Sequence, residues 1–408
     1  MKKAFVIAGG VPQIELIKQL KKRGYFTILA DGSNNPMAKP FADKFYHVNI
    51  FDINSLIDIA QKEKINFFIT VCADQVLLAV AEASERLGLP CYIDWATGKN
   101  VSDKIRMKKI FIDNNIPTTK YVESDSFDTL LLSNLNYPLV VKPVDAYSSK
   151  GVRKAENFTQ LVQYYKEATE ISRSGRVIVE EFFEGKEISI DAFVVNGVAK
   201  LLCVTTSEKV KDKDRFVIFR GRFPADIDNT IYPRIENIIQ KIADAFNLVN
   251  SPLLVQMLIN GNNISVLEFC ARTGGNMKYL LIKYSTGVDV IGATIDITEG
   301  KIPDLSQKIQ PRKVVVNDFI YCKPGIFTDV KGIDTLLSQD IINEFHLVRQ
   351  PGTEMKGITS SSDRVCGFNT VANSKEEYNE KLEIINNTIA ILDQDGRDIM
   401  RHDVFNKL

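Results

Sequence analysis

The stretch Leu267-Glu268-Phe269-Cys270-Ala271-Arg272-Thr273-Gly274-Gly275 puts a carboxylate and a guanidinium at the end of an apolar run, facing a glycine turn. A lone glutamate in the strand-like run 264–269 loses hydration that only a cation or a dense set of hydrogen bonds replaces. The chemistry this suits is a metal-bound phosphate. Residues 253–259 read as a second strand, and Asn260-Gly261-Asn262-Asn263 holds the residue types a tight reversal requires. If the loop is Gly261 to Asn263, Asn260 pairs with Ile264, and Gln256 lies opposite Glu268 on the face that also carries Cys270. The plainer alternative is an edge hairpin with polar positions in water. The Arg-Thr-Gly-Gly continuation argues against it.

Lys142 ends another apolar run and precedes the small, hydroxyl-rich segment Pro143-Val144-Asp145-Ala146-Tyr147-Ser148-Ser149-Lys150-Gly151. Backbone N–H groups of such a loop can wrap phosphate oxygens while the ammonium neutralises charge. The P-loop pattern G-x-x-x-x-G-K-[ST] is absent. Further on, Glu180 and Glu181 adjoin Phe182-Phe183, and strand alternation places Glu187, Ser189 and Asp191 on one face.

Positioning these groups requires a scaffold. Residues 4–95 alternate strands (4–7, 27–30, 67–71) with helices (12–22, 53–63, 75–87), which implies a Rossmann-like parallel sheet. Gly9-Gly10-Val11-Pro12 lacks the spaced glycines of a dinucleotide fingerprint. A lysine-rich helix over 102–114, capped by Ser102 or Asp103, leads to a boundary at Pro117. Strands follow at 139–142, 177–181 and 187–194, with an Asn196-Gly197 hairpin into 198–205. The charged stretch 207–222 offers Lys209, Arg220 and Arg222 to an anionic substrate, the plainer alternative being a solvated loop. A helix over 231–246, then strands and turns from 312 and a helix over 375–392, complete the chain.

Bulk properties exclude several classes. Lys plus Arg and Asp plus Glu are both 51, so no global field favours nucleic acid or an anionic membrane. The six cysteines contain no C-x-x-C pair, which removes zinc and redox motifs and fits a reducing cytoplasm. Three histidines, none near a nucleophile, leave a Ser-His-Asp or Cys-His mechanism little support. The start is basic then apolar but too short for a signal peptide, and no apolar run approaches the ~20 residues of a membrane span. At 408 residues, two or three domains are expected.

The lysine-plus-small-loop, the acidic-aromatic strand end and the Glu-x-Cys-x-Arg strand, in that order, resemble the ATP-grasp superfamily of carboxylate ligases. The nearer likeness is to its biotin carboxylase-like group, which includes carbamoyl-phosphate synthetase, purine-pathway carboxylate ligases and L-amino-acid ligases. The resemblance implies α/β and α+β architecture: an ATP-grasp fold preceded by a Rossmann-like parallel-sheet domain, with a C-terminal α+β portion. It divides the chain into 1–103, 104–305 with a mobile lid at about 117–185, and 306–408.

The same resemblance implies ATP with Mg²⁺, Mn²⁺ being able to substitute. Lys104 and Lys142 would contact the ATP phosphates, and Ser148, Ser149, Lys150 and Gly151 would form the flap over them. Glu180, with Glu181 beside it, would accept from the adenine amino group, backbone at Phe182 or Phe183 would read the ring, and Glu187 would hold the ribose. Glu268 and Gln256 would ligate the metal, and Arg272 with Lys142 would serve catalysis. Gly274, Gly275 and Arg364 would line the substrate site. Cys270 stands where most members have asparagine, and a thiol is a poor Mg²⁺ ligand, so a second metal site should be weaker.

The expected activity is an ATP-dependent, ADP-forming carboxylate–amine ligase that makes an amide or peptide-like bond on a small metabolite through an acyl phosphate. Two alternatives are a ligase activating formate or bicarbonate, and an ATP-binding regulatory protein with impaired catalysis. Partners are expected to be small-molecule carboxylates and amines, without nucleic acid or membrane, in a cytoplasmic protein with a possible homodimeric state.

Overall fold

The computed structural model describes residues 1–408 except 125, 126, 128–131, 133, 147, 148, 212–214, 308–312 and 406. The first part contains β1 (Lys3–Ile7), α1 (Val11–Lys22), β2 (Phe26–Asp31), β3 (Lys44–His47), α2 (Ile53–Glu63), β4 (Phe67–Ile69) and α3 (Asp74–Leu87). Its four strands form a parallel sheet in the order β3-β2-β1-β4. The apolar runs explain this: residues 4–7 of β1 are buried, and Leu16, Ile17 and Leu20 of α1 are sealed against the sheet, each worth ~1.5–3 kcal/mol.

Two left-handed residues shape the end of this sheet. Ala8 (φ 73°) follows β1 and Cys72 (φ 60°) follows β4. They turn the chain into α1 and α3, whose first residues line a cleft. Next come α4 (Trp95–Ser102) and α5 (Lys104–Asp113). Helix α4 was not expected, because Gly98 and its polar neighbours blur the helical period; Asp94 caps it through Thr97 N–H. Asp103, rather than Ser102, caps α5 by accepting from Ile105 and Arg106 N–H.

A small antiparallel sheet follows, built from β5 (Tyr121–Ser124), β6 (Leu139–Pro143), β7 (Arg153–Ala155) and β8 (Val177–Glu181) in the order β5-β8-β6-β7, and covered by α6 (Phe158–Ile171). Then come β9 (Lys186–Val195), β10 (Val198–Lys209), β11 (Ile218–Phe223), α7 (Tyr232–Ala245), β12 (Ser251–Asn260), β13 (Asn263–Cys270), α8 (Lys278–Thr286) and α9 (Val290–Thr298). The last part holds β14 (Val314–Ile320), β15 (Gly325–Lys331), α10 (Ile333–Ser338), β16 (Glu344–Leu347), β17 (Glu354–Met355), β18 (Cys366–Ala372), α11 (Lys375–Thr388) and β19 (Ala390–Asp393). Helix α11 stops short of residue 392 because Ala390–Asp393 pairs with β15 instead.

One eight-stranded sheet, in the order β13-β12-β9-β10-β11-β14-β18-β16, runs through both of these parts. The division drawn at 305/306 therefore crosses a single hydrogen-bonded sheet. Its hairpin β12–β13 differs from expectation in an instructive way. Asn260 pairs with Asn263 and Ile259 with Ile264, so the loop is only Gly261-Asn262. That loop alone would set Gln256 opposite Leu267. A bulge after the Met257–Val266 pair takes up Leu267, and Gln256 faces Glu268 after all.

Candidate active site

A cleft of 580 Å³ opens between the first sheet and one face of the large sheet, lined among others by Gln13, Asp74, Lys104, Ser149, Gln256, Glu268, Arg272, Lys278 and Arg364. Period-2 alternation aims Ser189 of β9, Gln256 of β12, and Glu268 and Cys270 of β13 into it. Lys104 reaches the same place from the first turn of α5: its Nζ lies 3.5 Å from Glu268 Oε2 and donates to Ala146 O at 2.8 Å. Burial would lower the Lys104 pKa, but Glu268 and Asp74 outweigh it and raise it.

The donor chemistry fits one hard divalent cation. A carboxylate and an amide sit across from each other on the cleft face, and Gln256 Nε2 donates to Glu187 Oε1 at 3.1 Å, leaving the amide oxygen as the group that can ligate. Burial pushes the Cys270 thiol well above its ordinary value, so it stays protonated and is a poor partner for magnesium. Among the described residues no group of three or more His, Cys, Asp or Glu could hold a metal.

Arg272 is held by a residue from the first sheet domain. Its Nε and Nη2 donate to the two oxygens of Asp74 at 2.5 and 2.6 Å, and its Nη1 to Thr273 O at 3.0 Å. Burial favours a neutral Asp74, but the Arg272 guanidinium prevails and holds it below the usual carboxylate range. Just beyond, a Cβ on Gly274 would fall 2.5 Å from Lys278 Cγ, so only glycine fits there. Gly275 lines the cleft beside it. Lys278 lies 3.0 Å from the buried carboxylate of Asp191, whose pKa is raised by burial against the pull of that lysine.

Lys142 is tied into a second, buried cluster. Glu180 accepts from Lys142 at 2.9 Å, from Lys108 at 3.0 Å and from Thr119 at 2.8 Å. Burial alone would raise the Glu180 carboxyl; Lys108 and then Lys142 overrule it and hold it at about 2. Both oxygens expected to meet adenine are thus engaged by the chain itself. Lys108, Thr119, Asp74 and the Asp191–Lys278 pair were not among the expected site residues. Lys108 carried a signal: it stands four residues after Lys104, on the same face of α5.

The remaining expected residues divide. Glu187 is buried, with Lys209 Nζ 2.6 Å from its Oε2. Glu181 accepts from Asn136 N–H and Nδ2 at 3.0 and 2.9 Å. Phe182 stacks on Phe216 with ring centroids 6.3 Å apart, and Phe183 is half-buried. Ser149 lines the cleft, Lys150 is exposed, Gly151 adopts φ 73°, and Ser148 lies outside the described residues. Arg364 also lines the cleft, stacked 3.8 Å from the Phe319 ring centroid, with Nη2 donating to Ile218 O at 2.9 Å.

Arg220 and Arg222 do not face the cleft, which corrects their expected substrate role. Their registers set them beside Glu208 and Thr206, whereas Thr205, Ser207, Ile218 and Gly221 line the cavity from the same two strands. Arg220 is fully buried and pairs with Asp318 at 2.6 Å and Glu208 at 3.2 Å; Arg222 donates to Glu208 at 3.3 Å. Tyr378 completes this cluster by donating to Asp318 at 2.6 Å. It is a largely internal ion network, with Glu208 partly exposed at its edge.

Comparison with known proteins adds independent findings. Residues 135–279 match the ATP-grasp domain family. The chain is 23% identical over 396 residues to the multifunctional protein ura1 of Schizosaccharomyces pombe, covering 91% of this chain but only 17% of that protein. It is 23% identical over 313 residues to the formate-dependent phosphoribosylglycinamide formyltransferase of Sulfurisphaera tokodaii, covering 74% of this chain and 75% of the relative. The crystal structure of the L-amino acid ligase from Bacillus licheniformis superposes with a TM-score of 0.79 at 19% identity, covering 97% of this chain and 99% of that one. Among the described residues no helix is long and apolar enough to cross a membrane. The chain therefore carries an ATP-grasp domain match at residues 135–279, on a fold shared with the L-amino acid ligase structure.

Proposed function

We propose that this chain is an ATP-dependent carboxylate–amine ligase acting on a small metabolite. The observation that carries the reading is the Gln256–Glu268 pair lining the cleft, with Lys104 3.5 Å from Glu268. Glu268 and the amide oxygen of Gln256 would hold Mg²⁺ there, which would supply positive charge to the nucleotide phosphates. Around it, Lys104 offers a positive charge, and Arg272 offers N–H donors to the phosphoryl group in transit. A substrate carboxylate oxygen forms a bond to the γ-phosphorus while the bond to the bridging oxygen breaks, its electron pair leaving with ADP. An amine then attacks the acyl carbon and phosphate departs. The charge is handled by positioned donors, so no histidine or thiol nucleophile is required.

Substrate selection falls to a further residue lining the cleft. Arg364 lines it and forms no ion pair with the chain among the described residues, so it is placed to receive an anionic group of the substrate. Lys142, Glu180, Glu187 and the Phe182 region border the nucleotide in this reading. The name of the Sulfurisphaera tokodaii relative favours a second reading, in which formate is the acid activated. One experiment separates them: a matrix of carboxylic acids, including formate and bicarbonate, against amines, scored by Mg²⁺-dependent ADP release and product mass. ADP release that follows a larger acid and an amine supports the first reading, and release with formate alone the second. ATP binding with no turnover across the matrix would sink both.

A further inference from the structure

Asp74 lies outside the ATP-grasp domain match, at the first residue of α3, yet it grips the guanidinium through which the domain meets the phosphoryl group. We propose that Asp74 is a positioning residue for phosphoryl transfer, presenting Arg272 to the transferred group from the first sheet domain. The proposal rests on the reading of the cleft as a phosphoryl-transfer site.

Arginine has five N–H donors. Asp74 takes one on Nε and one on Nη2, and Thr273 O takes one on Nη1. Five less three leaves two, one on each terminal nitrogen, and Arg272 lines the cleft. Two donors in one plane suit two oxygens of a single phosphoryl group. Rotation of the guanidinium would break the bidentate pair, so Asp74 fixes which edge is offered. Near-attack geometry is sensitive at this scale: a displacement of ~1 Å costs about 10²-fold in rate.

The carboxylate is itself anchored. Cys72 (φ 60°) turns the chain between β4 and α3, and the residue after Asp74, Gln75, bonds two further parts of the molecule. Gln75 Nε2 donates to Ser102 O at 3.3 Å, and its Oε1 accepts from Arg173 Nη2 at 2.6 Å, in the segment that follows α6. The first turn of α3 therefore touches the small sheet domain through Gln75 and the phosphoryl arginine through Asp74. Asp74 sets Arg272 relative to the domains that flank the cleft, not to its own strand alone.

The test uses Mg·ADP and orthovanadate, a mimic of the phosphoryl group in transit, with the full chain. Asp74→Asn is expected to bind Mg·ADP within about twofold of the parent, while orthovanadate affinity for the Mg·ADP form falls about tenfold or more. In an Arg272→Ala background, Asp74→Asn should change orthovanadate affinity by no more than about twofold. Asp74→Glu, which keeps the charge but shifts it by a methylene, should fall between, and it serves if the asparagine variant does not fold. A merely structural role would lower both affinities together. Unchanged orthovanadate affinity in the single variant, or an equal loss in the Arg272→Ala background, overturns the proposal. Failure of the parent chain to bind Mg·ADP would instead remove the ligase reading, and the proposal with it.

Discussion

Gln256 faces Glu268 across the hairpin because Leu267 bulges out of the ladder, offsetting a loop of only Gly261 and Asn262. The bulge gives two neighbouring strands a shared polar site inside an otherwise apolar sheet. Glu268→Gln keeps the size and the hydrogen-bonding surface but removes the charge a divalent cation needs. The expected result is a loss of Mg²⁺-dependent ADP release of about 10²–10³-fold with an unchanged melting temperature. Steady-state kinetics and a thermal scan check it. Retained turnover would dismiss the site.

Glu180 makes a prediction about acid. Its carboxyl is held at about 2, against an ordinary value of 4.5, by Lys108 and Lys142 in spite of burial. A depressed carboxyl contributes stability that is complete above its unfolded value and lost as pH falls through its folded one. Part of the folding free energy should therefore disappear between pH 4.5 and about 2. Glu180→Gln should remove that part of the acid limb. At neutral pH it should cost about 3–5 kcal/mol, because Lys108 is left buried without a counter-ion. Denaturant titrations at a series of pH values report both.

Cys270 should limit metal affinity. A protonated thiol stands beside Glu268 where an amide or carboxylate oxygen would serve a hard cation better. Cys270→Asn is expected to lower the Mg²⁺ concentration for half-maximal ADP release about threefold or more. Mn²⁺ titration followed by electron paramagnetic resonance should show a tighter second ion. No change in either would mean that Cys270 lies outside the coordination sphere.

Arg220 and Arg364 should fail in opposite ways. Arg220 and Asp318 are fully buried partners in a network with Glu208 and Tyr378, so Arg220→Ala should cost about 3–5 kcal/mol of stability. Its folded fraction should keep the parent KM. Arg364→Met should leave stability nearly unchanged, since packing on Phe319 survives, but raise the KM for the carboxylate substrate about tenfold or more. Melting curves set beside substrate titrations separate the two. A KM change at Arg220 would contradict its placement.

Local chemistry made much of this legible without coordinates. Apolar runs and helical periods gave the parallel sheet and the Asn196-Gly197 hairpin, because each depends on residues close in sequence; the Gln256–Glu268 pair was expected from a three-residue loop, but a two-residue loop and a bulge at Leu267 produce it. The Glu-x-Cys-x-Arg strand pointed to phosphate chemistry because a carboxylate inside an apolar strand requires a partner wherever it lies.

Tertiary structure alone decided who that partner is. The pairings Asp74–Arg272, Lys108–Glu180 and Lys278–Asp191 join residues 198, 72 and 87 positions apart, and nothing local encodes which acid meets which base. Arg220 and Arg222 show the same limit from the other side. An arginine on a strand reads identically whether its face meets the cleft or the core, and only the packing of β11 between β10 and β14 turned both toward Glu208. Periodicity states that a strand has two faces; which one becomes the active site depends on what folds against it.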